Sequence, residues 1–93
     1  MILSFYDSLT EELFISGKYR RLAPDIAKRA KKQLDRLHAV TRIEDLYFPP
    51  SNRFERLGGM TPPRYSIRVN DRYRITFEWT GTDAVHVRFG DYH

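Results

Sequence analysis

From Arg64 to Phe89 apolar and polar side chains take turns along the chain. Tyr65, Ile67 and Val69 alternate with Arg64, Ser66 and Arg68; Tyr73, Ile75, Phe77 and Trp79 alternate with Arg72, Arg74, Thr76 and Glu78. Val85, Val87 and Phe89 then alternate with His86 and Arg88. A period of two sends successive side chains to opposite faces of an extended chain, so each run predicts a strand with one buried face. Asn70-Asp71 and Thr80-Gly81-Thr82-Asp83 carry turn chemistry, which makes consecutive runs antiparallel neighbours.

Before Arg53 the periodicity is helical. After a possible short strand at Ile2 to Phe5, Ser8-Leu9-Thr10-Glu11 has capping-box spacing and Gly17 can end a turn, predicting a helix over 8–16. Pro24 suits a first helical position and Asp25 the positive end of the dipole. Ile26, Ala30, Leu34 and Leu37 share a face of the helix that follows, to about 39. Thr41 to Glu44 repeats the capping pattern and Pro49-Pro50 stops what it starts, which predicts a short third helix near 42–47. Helices first and strands second predict an α+β fold, with N-terminal helices packed on one face of a small antiparallel sheet. With 93 residues and no linker or low-complexity tract, one domain over 1–93 is expected.

If the aromatic and branched residues face the helices, then Arg64, Arg68, Arg72, Arg74 and Arg88 face outward. Every basic residue after position 50 is arginine, whose planar donor fork suits phosphate and whose flat face suits bases. The formal charge of +4 is mild, so this distribution carries the argument for a polyanion-binding face, the alternative being an exposed face balanced by Glu78 and nearby acids. A second basic stripe, Lys28, Arg29, Lys31, Lys32 and Arg36, lies on the second helix, where it is either a solvated face or a contact for nucleic acid or an acidic protein.

No apolar run approaches the ~20 residues of a membrane helix, and Met1-Ile2-Leu3-Ser4 lacks the order of a signal peptide, so a cytoplasmic protein is expected. The chain has no cysteine, and His38, His86 and His93 make no metal-ligand spacing. Chemistry without metal or cofactor is the expectation.

Gly90-Asp91-Tyr92-His93 places a carboxylate, a phenol and an imidazole directly after the last strand. Cleaving RNA through its own 2′-hydroxyl needs a proton acceptor, an acid for the departing 5′-oxygen and cations for the charge that builds on phosphorus. His93 can serve as acid or base near neutrality, Arg74 and Arg68 as the cations. Tyr92 can stack on a splayed base or donate a proton, and Asp91 can orient either neighbour.

Four blocks taken together resemble the HigB, or killer-protein, branch of the RelE/ParE toxin superfamily over nearly the whole length. They are Met1-Ile2-Leu3-Ser4-Phe5; Pro49-Pro50-Ser51-Asn52-Arg53-Phe54-Glu55-Arg56-Leu57; Tyr65 through Trp79; and Asp91-Tyr92-His93. The resemblance implies an mRNA endonuclease that enters the ribosomal A site and cuts during translation by 2′-hydroxyl attack. It also implies a HigA-type antitoxin with a helix-turn-helix domain, the operator DNA being bound only through the complex. Arg74 matches the family's strand arginine, and Asp91, Tyr92 and His93 match its terminal motif; Arg53, Arg56, Arg64, Arg68 and Arg72 are expected to hold backbone phosphates.

One segment departs from the family. Where members carry a histidine and, three residues later, a lysine, this chain has Glu55 and Gly58, and Gly59-Met60-Thr61-Pro62-Pro63 lacks the usual Asp-Arg. Glu55 then stands either as a substitute base or as the partner of an arginine. Two rival functions remain at this point: a ParE-like module that inhibits by binding, and a simple basic nucleic-acid-binding protein.

Overall fold

The computed structural model describes residues 1–59 and 61–91. Two α-helices, α1 (Ser8–Ser16) and α2 (Pro24–Ala39), precede an antiparallel sheet of four strands in the order β1 (Glu55–Leu57), β2 (Arg64–Arg68), β3 (Tyr73–Trp79) and β4 (Ala84–Asp91). The α+β architecture is the one expected from the change of period. The N-terminal segment lies beside β4 and runs parallel to it, bridged at Ile2–Ala84 and Phe5–Val87.

Helix α1 spans the expected residues, but its cap is Asp7 and not Ser8 of the capping-box spacing. Asp7 is the N-cap and accepts from the Thr10 N–H at 2.9 Å, while Gly17 at φ 75° closes the far end. Thr10 serves the core as well: its buried hydroxyl accepts from the Phe89 N–H and ties α1 to β4. Helix α2 buries Ala27, Ala30, Leu34 and Leu37 against Ile67, Ile75, Phe77 and Phe89 of the sheet. Each such side chain is worth roughly 1.5–3 kcal/mol of burial.

Sequence and structure differ between the helices and the sheet. The third helix is a 3-10 turn, Ile43–Tyr47, with Arg42 at its N-cap position and no side-chain cap bond. A second 3-10 turn, Pro50–Asn52, follows where the prolines were expected only to stop a helix. It delivers Asn52 into the interior. There Asn52 Oδ1 accepts from Gln33 and Arg36, and its Nδ2 donates to the Leu46 and Phe48 carbonyls. That network explains a glutamine on the buried side of α2, since Gln33 also donates to the Arg68 carbonyl at 2.7 Å.

Strand β4 changes phase. His86 takes φ +52°, and the pairing of β3 with β4 shifts between Thr76 and Glu78. Ala84 opposes Trp79 on the core side, whereas Val85 opposes Glu78 on the other, so Val85 does not join Val87 and Phe89 inside as its alternation predicts.

Candidate functional site

The sheet face turned away from the helices is built by register. One row runs Glu55–Ser66–Thr76–Arg88 across all four strands, and the next runs Arg68–Arg74–Gly90. Directly opposed residues share a face. By the same rule Arg56, opposite Tyr65, belongs to the helix side, and the structure separates it from the arginines with which the sequence grouped it. Its Cα partner belongs to the Phe54–Tyr65–Phe77 aromatic stack.

The outward arginines are present as expected, and each has a carboxylate. Arg64 meets Glu78 at 3.2 Å, Arg72 meets Asp91 at 2.8 Å, Arg74 meets Glu55 at 3.2 Å, Arg88 lies 4.0 Å from Asp7, and Arg68 pairs with Asp71. Five acids therefore accompany five arginines, and the face is an ion-pair lattice rather than the bare positive surface that the sequence suggests. A single strand could not disclose this, because four of the five acids come from another segment than their arginine. The pairs hold the guanidiniums in fixed orientations. The exposed partners, Asp71 above all at 99%, can yield their place to a phosphate at little expense.

Arg74 is held from three sides. Its Nε donates to Ser66 Oγ at 2.9 Å, and its Nη2 donates to the Arg53 carbonyl at 2.6 Å and faces Glu55. Arg53 presents that carbonyl because it sits at φ 44°, the residue after the Asn52-anchored turn. Partial burial lowers the Arg74 pKa from its ordinary value, Glu55 raises it again, and neighbouring Arg53 and Arg68 add to the lowering. A guanidinium stays charged throughout. Arg53, Glu55, Arg68, Arg72 and Arg74 line a cleft of about 260 Å³, closed at one end by Asn70 and Asp71. Asn70 shapes that end by accepting from the Arg72 and Tyr73 N–H groups.

Strand β4 brings its last described residues to this cleft: Gly90 opposes Arg74, and Asp91 opposes Tyr73. The hydrogen bond that Arg72 donates to Asp91 raises the Arg72 pKa above its ordinary value. Asp91 is thus committed to Arg72. Tyr92 and His93, expected to carry proton transfer, lie outside the described residues, as does Met60. Gly58, where the family carries a lysine, has open space around its Cα. Among the described residues no group of three or more His, Cys, Asp or Glu could hold a metal ion.

The second basic stripe is partly rearranged. Lys28, Arg29, Lys31 and Lys32 line a roomier groove of about 570 Å³ beside Gly17 and Pro24, but Lys31 is paired with Asp35. Arg36 turns away to Gln33 and Asn52 and leaves the stripe. Size alone favours this groove; the chemistry of a fixed guanidinium beside the end of β4 favours the smaller cleft. Sequence reasoning missed Asn52, Gln33 and Ser66 as supports of that guanidinium. A polar residue on the apolar side of α2 was the available signal. No helix of the described residues is long and apolar enough to cross a membrane.

Known proteins resemble the chain over this whole framework. A family model described as "RelE-like toxin of type II toxin-antitoxin system HigB" matches residues 3–93. Toxin HigB-1 of Vibrio cholerae serotype O1 is 40% identical over 87 residues, covering 92% of each chain. An uncharacterized protein of Haemophilus influenzae is 31% identical over 66 residues, which is 71% of this chain and 65% of that one.

Proposed function

The chain belongs to the HigB-like, RelE-like toxins of type II toxin–antitoxin systems, and we propose that it acts as a ribosome-dependent mRNA endonuclease. Membership brings an antitoxin partner. The further reading is that this partner is a HigA-type helix-turn-helix protein, that operator DNA is bound only through the complex, and that the toxin works in the cytoplasm on mRNA in the ribosomal A site.

The observation that carries the reading is the fixed orientation of Arg74 across from Gly90, which stands three residues before His93 in the sequence. In the proposed reaction a 2′-hydroxyl attacks the adjacent phosphorus, the 5′-oxygen departs, and a 2′,3′-cyclic phosphate forms. His93 moves the proton, and Arg74 stabilises the extra negative charge on the phosphoryl oxygens. Tyr92 aligns the base and Asp91 steadies this end through Arg72. Glu55, paired with Arg74, orients that cation. Arg53, Arg68 and Arg72 hold flanking phosphates; Arg64, further along the same face, is held by Glu78, Thr76 and the His86 carbonyl, and Arg56, on the other face, contacts RNA only outside this cleft. Side chains supply base, acid and cation, so the proposed reaction calls for no metal.

To test it, a reporter mRNA is translated with the wild type, His93→Ala or Arg74→Ala, and its 5′ ends are mapped. Cleavage by the wild type and loss of cleavage in both variants is expected. Equal cleavage by all three removes the assigned roles. Growth arrest with intact transcripts and signs of DNA damage supports the ParE-like alternative instead.

A further inference from the structure

A second cleft, of about 410 Å³, opens on the same sheet face at the opposite end from Arg74. Tyr6, Arg64, Thr76, Glu78, His86 and Arg88 line it. Only the buried Ser66–Thr76 pair separates the two: Arg74 donates to Ser66 on one side, and Arg64 donates to Thr76 at 3.0 Å on the other. The site depends on the N-terminal segment. Its backbone bond from Tyr6 to the Val87 carbonyl, at 2.9 Å, places the Tyr6 ring beside β4 with the Arg88 guanidinium over it, 5.1 Å from the ring centre.

We infer that this cleft binds one unpaired base of the RNA strand whose cleaved phosphate lies at Arg74, and that it prefers a base carrying an exocyclic amino group. The inference rests on the ribonuclease reading and extends it to substrate choice. A phosphate is worse served here than at Arg74, because Glu78 is 24% exposed and paired with a guanidinium that is 16% exposed, whereas Glu55 and Asp71, at 58% and 99%, give way more easily. A base is well served. Tyr6 is 62% exposed and backed by a flat cation, which is a stacking platform. Arg64 is held by Glu78, Thr76 and the His86 carbonyl, so donor and acceptor edges are set before the ligand arrives. Glu78 Oε2 takes Arg64, and a carboxylate has lone pairs to spare for an amino group. Uracil offers one N–H flanked by two carbonyl oxygens, which face a carboxylate badly. An acidic protein segment, the alternative occupant, uses the cations but gains little from Glu78.

The test measures binding of fluorescent 2′-O-methyl RNA hexamers to the full chain by anisotropy at fixed salt. The blocked 2′-oxygen prevents cleavage, so this inference and the ribonuclease reading fail separately. Oligo(A) and oligo(C) are expected to bind more tightly than oligo(U). Tyr6→Ala should weaken oligo(A) by about tenfold, the scale of one lost base stack, and Tyr6→Trp should retain it. Glu78→Gln should narrow the gap between oligo(A) and oligo(U). Equal affinity of wild type and Tyr6→Ala, binding by neither, or a Tyr6→Ala defect confined to antitoxin binding overturns the inference.

Discussion

Arg74 Nη2 stands 3.2 Å from Glu55 Oε1 while the Arg74 Nε is spent on Ser66, so the acid that replaces the family's histidine fixes the cation at the proposed phosphate site. If holding Arg74 is the task of Glu55, a glutamine amide oxygen at that position still accepts from the guanidinium. Glu55→Gln is therefore expected to keep cleavage within about tenfold of wild type, whereas Arg74→Ala costs about 10²–10³ in kcat, the scale of removing one fixed charge-stabilising donor. Single-turnover cleavage on programmed ribosomes measures both. A Glu55→Gln defect as deep as that of Arg74→Ala makes Glu55 the general base.

The next link inward is Asn52. Its four side-chain hydrogen bonds hold the turn that leaves Arg53 at φ 44° with its carbonyl on Arg74. Asn52→Ala strands buried partners and should cost about 1–3 kcal/mol in urea unfolding. Because the turn also aims Arg74, cleavage should fall further than the unfolded fraction explains. Activity that simply tracks the folded fraction shows that Asn52 is structural alone.

How far the sequence discloses this arrangement follows from what each signal can see. Alternation within one strand correctly assigns Tyr73, Ile75 and Phe77 to the inside and Arg74 to the outside. It is silent on register between strands, and register is what pairs Arg74 with Glu55 and sends Arg56 to the other face. The three residues of β1 are too few to show a period. Capping spacing points to Ser8 while Asp7 caps the helix, since both are good caps and the helix bounds are the same to within a residue either way. The family resemblance supplies the site's location; the hydrogen-bonded supports of Arg74 come from packing alone.

The phase change at His86 is a property of one backbone conformation. At φ +52° an L-residue is strained and a β-branched one more so, while glycine is at ease. His86→Val should lower stability by about 1–2 kcal/mol, and His86→Gly should cost less than about 0.5 kcal/mol despite losing the imidazole. Thermal unfolding followed by circular dichroism decides it. Equal losses for both substitutions mean that the side chain, not the backbone, is what matters at this position.

Acid stability has a sign fixed by two carboxyls, the exposed Asp71 and the half-buried Asp83, in turns at opposite ends of β3. The Arg68 hydrogen bond and charge hold Asp71 below the ordinary carboxylate range; the Thr82 hydroxyl, and next the chain's own N-terminus, do the same for Asp83, 3.1 Å from that ammonium group. A group whose pKa is depressed on folding adds stability above its unfolded value of about 3.9, and that stability is lost as the pH falls through the folded pKa. The unfolding midpoint should therefore hold steady from neutral pH to about 5 and drop below about 4, with no matching contribution from these two groups on the alkaline side. Asp71→Asn and Asp83→Asn should each make the acid limb shallower, and the double variant shallower still, since the sites are far apart and share no partner. Melts at stepped pH for the four proteins check this, and an acid limb identical in all four overturns the assignment to Asp71 and Asp83.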